Sequence, residues 1–403
     1  MNILFYHGDE TCPTMGGIQR TTALIADGLK RHYDYHCYNF YNYRKRYSDD
    51  IPRYKYEASE CLPTNFSSED VTELIERWRI DVIINQMGVD KNFYLKNAIR
   101  LSTYPCKLVY CHHNTPRRLF NLNLRQRYLS VLNAHSASER IKNLIKLLTH
   151  PMYSRLHNAL TLIKNRNAYR RIYNDVEKFV LLSRQFVPEW QELTGIENAS
   201  KLDAIPNMLS FKDFVSKEQI LDKQKKLLLV ARLQEFPKNI TTALRIWQKL
   251  SLKPIFQDWE FDIVGDGDDR TYLESFVKRH GIQRVTFHGR QESQSFYQKA
   301  SVFIMTSIRE GWGMTLLEAM QNGCVPIAFD SFASVKDIID DGVNGILVPA
   351  FDENIYADKL ASLMSDKSMR IEMALNAVMK SKNFTEEKII AQWDNILQEI
   401  KTS

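Results

Sequence analysis

The 403-residue chain predicts an α/β fold, two doubly wound domains facing across a cleft, and three observations lead there. The length exceeds what one ordinary core holds, at about 150 residues per domain. Short apolar runs alternate with helix-period segments in both halves, as in a mostly parallel sheet wrapped by helices. Between the two series lies AIPNMLSFKDF (204–214), a stretch with a proline, turn formers and no periodicity that reads as a linker.

In the first half the strand candidates are ILFYH (3–7), VIINQ (82–86), KLVYCHH (107–113) and KFVLLS (178–183), with a helix over Gly17 to Arg31. Between Arg117 and Tyr173 the alternation breaks into a long basic insertion, in which Leu156, Leu160 and Ile163 share one side at helical spacing. The second half supplies KLLLVARL (226–233), WEFDIVGDG (259–267), RVTFHG (284–289), SVFIMTS (301–307), CVPIAFD (324–330) and GILVP (345–349). Their regular separation by helical segments suits a doubly wound sheet. An amphipathic helix over about Thr385 to Ile400 closes the chain. The expected division is 1–206, with the insertion at about 117–173, then 207–382, then a C-terminal helix at 383–403 that packs back on the first domain.

Apolar residues make up 44% and charged residues 25%, the balance of a globular protein rather than a disordered or fibrous one. No run of about 18 apolar residues occurs, and Met1 leads straight into a short strand pattern without a basic n-region. The expectation is a cytoplasmic protein that is neither secreted nor membrane-spanning. The six cysteines are scattered, with no zinc-type spacing, and read as reduced thiols. The net charge of +6 conceals an asymmetry, because Lys96 to Trp190 holds 17 Lys or Arg against four acids. Such a block can serve nucleic acid, an anionic membrane surface or a phosphorylated substrate. No RNA- or DNA-reading motif accompanies it, which argues against nucleic acid.

In open α/β folds ligands bind outside the carboxyl ends of the strands, and the unusual residues fall there. SIREGWGMTLLEAMQ sets Glu310 and Glu318 around Gly311 and Gly313. The glycines permit a tight turn, and a helix expected to begin near Thr315 turns free N–H groups toward the cleft, an end that attracts phosphate. The plainer account of Glu318 is a capping box with Thr315. Arg232 and Lys238 end the first strand of the second domain, where two cations can hold a diphosphate or simply face water. Gly16 and Gly17 follow the first strand of the chain and open a helix, as a phosphate loop or an ordinary turn. His112 and His113 sit at another strand tip, and alternation sends one of them to the cleft, with His113 preferred. In GDGDD, Asp266 and Asp268 suit Mg²⁺ or Mn²⁺, but a strand-end turn is the preferred reading.

Taken together, EGWGMTLLE, LEAMQNGCVPIAF, DIIDDGVNGILVP and GGIQR resemble the GT-B glycosyltransferases, most specifically the retaining family-4 group with its E-x7-E motif and two Rossmann-like domains. The resemblance extends over nearly the whole chain, strongest from Leu227 to Pro349 and weak across the basic insertion. It implies that Glu310 contacts the hydroxyls of the donor sugar and Glu318 the ribose of the nucleotide. It also implies that Arg232 and Lys238, six positions apart where the family commonly has five, meet the leaving diphosphate. Backbone groups of Gly313, Met314 and Thr315 would hold the phosphates, and His113, or His112 beside it, would lie near the reacting carbon.

The activity implied is retaining hexosyl transfer from a nucleotide-sugar to a glycan or lipid-linked acceptor in bacterial surface polysaccharide or lipopolysaccharide synthesis. No cofactor or divalent metal is expected, because cationic side chains already face the diphosphate. The basic insertion is expected either to rest peripherally on an anionic membrane at its inner face or to hold a lipid-diphosphate acceptor; a solvated helical face is the alternative. A non-hydrolysing sugar-nucleotide epimerase and a catalytically silent binding subunit share the architecture. The first needs cleft acids and bases for elimination, which have no evident place here. The second is disfavoured by the full set of site residues.

Overall fold

The computed structural model describes residues 1–14, 16–42, 51–116 and 136–402. Two parallel sheets organise it. The first holds β1 (Asn2–His7), β2 (His36–Asn42), β3 (Ser59–Leu62), β4 (Val82–Asn85), β5 (Lys107–His112), β6 (Lys178–Leu181) and β7 (Leu202–Ala204) in the order β3-β2-β1-β4-β5-β6-β7. The second holds β8 (Gln224–Val230), β9 (Glu260–Val264), β10 (Val285–Gly289), β11 (Ala300–Met305), β12 (Val325–Asp330) and β13 (Ile346–Pro349) in the order β10-β9-β8-β11-β12-β13. Each order reverses direction once, between β1 and β4 and between β8 and β11, and such a switch point opens a crevice for a ligand.

The apolar runs are continuous because both faces of each sheet are covered. Along β1, Leu4 and Tyr6 enter a core with Phe40, Phe66, Leu108 and Trp190, while Ile3 and Phe5 face the opposite way against Ile25, Leu29, Trp393 and Leu397. Along β8, Leu227 and Leu229 join Trp247 and Tyr356, whereas Leu228 joins Phe303, Leu316 and Met320. A period of two in side-chain direction thus feeds two cores per domain. The closing helix, Glu386–Thr402, belongs to the first domain's packing, burying Ile389, Ile390, Trp393, Ile396, Leu397 and Ile400 there.

Three strands escape the sequence pattern. HCYNFYN and SECL (β2 and β3) alternate polar groups into the ladder, and LDA (β7) is only three residues long. The stretch 204–214, expected as a linker, leads out of the first sheet, where Ala204 ends β7, and it is packed: Ile205, Met208 and Leu209 are buried. Leu209 N donates to Phe384 O (2.9 Å), so the two passages of chain between the sheets lie side by side. In the insertion, residues 117–135 lie outside the described residues, and the remainder forms helices Ala137–Leu148 and His150–Asp175. No helix among the described residues is long and apolar enough to cross a membrane.

Candidate active site in the cleft

The candidate residues sit at strand ends, on the loops that follow them or on the helices those loops lead into. Arg232 and Lys238 follow β8, and Glu310, Gly311 and Gly313 follow β11, so both groups flank the switch point of the second sheet. Gly16 and Gly17 follow β1 and His113 follows β5, beside the switch point of the first. Gly17 is the first residue of helix Gly17–Tyr33, and a side chain at Gly16 or Gly17 would meet nothing within 4 Å.

The two domains touch at Gly311. A Cβ there would stand 2.1 Å from the His113 carbonyl oxygen, so only glycine allows this approach of backbone to backbone. Gly313 takes a left-handed conformation (φ 100°) and caps helix Met314–Gln321, which starts one residue earlier than Thr315. No side chain caps this end, and the capping box of Thr315 with Glu318 is not formed. Its first N–H groups therefore remain for a ligand, with Gly313, Met314 and Thr315 at the opening.

Lys238 Nζ donates to Glu310 Oε1 at 2.6 Å, with the two side chains 24% and 15% exposed. The pair ties the β8 loop to the β11 loop. Backbone contacts reinforce the tie: Ile308 N donates to Pro237 O (2.8 Å) and Thr306 Oγ1 to Asn239 O (3.0 Å). Arg232 is exposed, and no side chain among the described residues pairs with it. The neighbouring GDGDD turn packs on that loop. Cβ atoms at Gly265 and Gly267 would lie 1.9 Å from Ala231 O and 2.6 Å from Leu233 O, and Asp269 Oδ2 accepts from Glu235 N at 2.6 Å. Those contacts give the turn a structural duty. Among the described residues no cluster of three His, Cys, Asp or Glu is placed to hold a metal.

Glu318 is only 2% exposed, and its partners were not legible in the sequence. Its Oε1 accepts from Arg20 Nη1 (2.9 Å) and Ser210 Oγ (2.7 Å), and its Oε2 from the Tyr297 hydroxyl (3.0 Å). Arg20 stands on the first helix of the first domain, so this contact crosses the cleft. Burial first, and then the adjacent Glu318 carboxylate, raise the Tyr297 hydroxyl well above its usual pKa and keep it a donor. Arg20 lies inside the GGIQR segment, but nothing in its spacing announces a partner 298 residues away.

The two histidines separate. His112 is buried among Tyr110, Tyr169 and Phe179, its ring atoms 3.3 Å from the Tyr169 hydroxyl and 3.4 Å from that of Tyr110. His113 turns instead to Gln86, donating from Nε2 to Oε1 at 2.5 Å. Burial, then His7 and His112, push its pKa down to about 3, so the ring is neutral near pH 7 and keeps Nδ1 as an acceptor. His7, at the end of β1, is lowered to about 4 by burial, and neither of its ring nitrogens has a partner among the described residues.

Residues 210–379 match the family glycosyl transferases group 1. They are a group 1 glycosyl transferase domain. The whole chain has the GT-B fold: it superposes on Anabaena HepE in complex with UDP and glucose with a TM-score of 0.69 at 16% identity, covering 99% of this chain and 100% of that one. The lipopolysaccharide outer core galactosyltransferase WaaB, in its apo form, gives 0.66 at 17% identity, covering 99% of each chain. In sequence, the GT-B chain is 32% identical over 198 residues to an undecaprenol-diphosphate-linked GalNAc α-1,4-N-acetyl-D-galactosaminyltransferase of Campylobacter jejuni, covering 49% of this chain and 54% of the relative. It is 27% identical over 231 residues to the amylovoran biosynthesis glycosyltransferase AmsD of Erwinia amylovora, covering 56% and 63%. The alignments thus span between half and two thirds of these relatives' lengths.

Proposed function

We propose that this GT-B chain moves a hexosyl unit from a nucleotide-sugar to a glycan or lipid-linked acceptor with retained anomeric configuration, in bacterial surface polysaccharide or lipopolysaccharide synthesis. The observation that carries this reading is the Lys238–Glu310 pair beside the uncapped start of helix Met314–Gln321. A cation and an anion held together at a phosphate-attracting helix end are two halves of a sugar-diphosphate site. The relatives support the acceptor class, since one acts on an undecaprenol-diphosphate-linked glycan and another serves amylovoran biosynthesis.

On donor binding, Lys238 and the unpaired Arg232 turn to the diphosphate together with the N–H groups of Gly313, Met314 and Thr315. Glu310, released from Lys238, accepts hydrogen bonds from the sugar hydroxyls, while Glu318 takes the ribose. The acceptor hydroxyl attacks the anomeric carbon on the face from which the diphosphate departs. The bond from that carbon to the phosphate oxygen breaks, the new glycosidic bond forms, and the hydroxyl proton passes to the leaving phosphate. Charge growing on that phosphate meets cations already in place, each contact contributing about 2–4 kcal/mol in the transition state. His113, neutral, lines the sugar as a hydrogen-bonding wall. The reading needs no divalent cation, so EDTA should leave turnover unchanged.

The test is a pair of substitutions. Lys238→Ala leaves Glu310 without its cation, a loss of about 1–3 kcal/mol for a partly exposed pair, which a domain of ordinary stability survives. Turnover should nevertheless fall by two or more orders of magnitude, and near-normal turnover removes Lys238 from the mechanism. Glu310→Gln should abolish use of the sugar-nucleotide while nucleoside diphosphate still raises the melting temperature. If both are lost together, Glu310 is structural only. A melting-temperature screen of UDP-, GDP-, ADP- and dTDP-sugars identifies the donor by mass action.

A further inference from the structure

The helix Ala137–Leu148 buries none of its residues. Yet Ile141, Leu144, Ile145 and Leu148, which share one face at 3.6 residues per turn, are 59, 43, 55 and 74% exposed. The following helix repeats the pattern. Its C-terminal part anchors in the first core through Tyr169, Ile172 and Tyr173, while Leu156, Leu160 and Ile163 are 62, 57 and 56% exposed. Seven large exposed aliphatic side chains in two stripes are more than the scattered singles of an ordinary surface.

Each stripe has basic shoulders. Arg140 lies to one side of the first and Lys142 and Lys146 to the other; Arg166 and Lys164 flank the second in the same way, and all five are exposed. Acids are nearly absent, with Glu139 and Asp175 alone between 136 and 175. We infer that these two helices form an interfacial docking surface that lays its aliphatic stripes into an anionic phospholipid bilayer while Lys and Arg engage the headgroups.

Charge decides among the occupants. A second copy seated face to face would bring the basic shoulders of both chains together. Residues 117–135 of the same chain carry four Arg and no acid, so folding them onto the patch meets the same repulsion. An anionic leaflet complements both the stripes and their shoulders. Twelve residues of helix reach about 18 Å, too short to span a hydrocarbon core of about 30 Å, so the helix lies in the interface.

The inference goes beyond sugar transfer, and its readout is independent of it. The full chain is sedimented, without sugar-nucleotide, with vesicles of phosphatidylcholine alone or with 30% phosphatidylglycerol. Binding should be at least tenfold stronger to the anionic vesicles and fall severalfold at 0.5 M salt. Ile145→Ser with Leu148→Ser, and separately Lys142→Glu with Lys146→Glu, should each reduce binding at least fivefold. The melting temperature and its rise with sugar-nucleotide should not change, because none of these side chains is buried. Equal pelleting with both vesicles, no pelleting, or variants that bind like the parent would overturn the inference. So would a dimer, seen by light scattering without vesicles, that dissociates in the Ile145→Ser, Leu148→Ser variant. Failed sugar transfer by protein that still binds vesicles would count against the transferase reading alone.

Discussion

Glu318 shows how a single carboxylate joins the two domains. It accepts from Tyr297 and Ser210, and its charge is met by Arg20 from across the cleft. Removing a cation from a fully buried pair costs about 3–5 kcal/mol, but the Arg20 side chain is 38% exposed, so Arg20→Ala should cost about 1–2 kcal/mol. In a Glu318→Gln background the same substitution should cost less than about 0.5 kcal/mol, a coupling that a urea-denaturation double-mutant cycle measures. His7 and His113 set a pH dependence. Both rings stay neutral in the folded chain, with pKa values near 4 and 3, whereas unfolded histidine titrates near about 6.5. Above that pH they cost nothing. As pH falls from about 6.5 toward about 4, the unfolded chain takes up protons that the folded chain refuses, and stability drops by about 1.4 kcal/mol per pH unit for each ring. Urea midpoints at pH 7.5 and 5.0 should show the fall, and His7→Asn should remove about half of it.

Among elements, the closing helix Glu386–Thr402 depends on close approach to helix Gly17–Tyr33. A Cβ at Gly28 would stand 2.4 Å from Ile390 Cγ1, so Gly28→Ala overpacks the seam between the helices. The expected loss is about 1–3 kcal/mol. Ile390→Ala costs stability by itself, but combining it with Gly28→Ala should be less destabilising than the sum of the two, as measured by thermal unfolding. Helix Met314–Gln321 works in the opposite sense. Its first turn lacks a side-chain cap, a local weakness that the diphosphate of the proposed donor would relieve.

For the molecule as a whole, the cleft closes where Gly311 meets the His113 carbonyl. Gly311→Ala places a methyl group against backbone that cannot rotate away, so the domains must part at this point. Each sheet should keep its circular-dichroism signal, while small-angle scattering reports a larger radius of gyration and turnover falls at least tenfold. An unchanged radius with full turnover would mean that the seam is not part of the working state.

The parallel doubly wound class, all six strands of the second sheet and the glycine turn between Glu310 and Glu318 were readable from local pattern. Buried-on-both-faces strands and turn chemistry are written within a few residues of themselves. The same reasoning missed β2, β3 and β7, whose short or polar-bearing ladders carry no strong period. The linker reading of 204–214 did not extend to its packing, because burial of Ile205, Met208 and Leu209 depends on a passage near Phe384 that local sequence does not reveal. Sequence alone placed His112 and His113 at a strand tip and, by alternation, preferred His113 for the cleft. Only tertiary packing shows what each ring meets, His112 entering an aromatic core and His113 reaching Gln86. It likewise decided that Lys238 rests on Glu310 and Arg20 on Glu318. The reason is physical: periodicity encodes which side of an element is apolar, but the Lys238–Glu310 pair depends on β8 and β11 lying side by side, and the Arg20–Glu318 pair on how two sheets are set against each other.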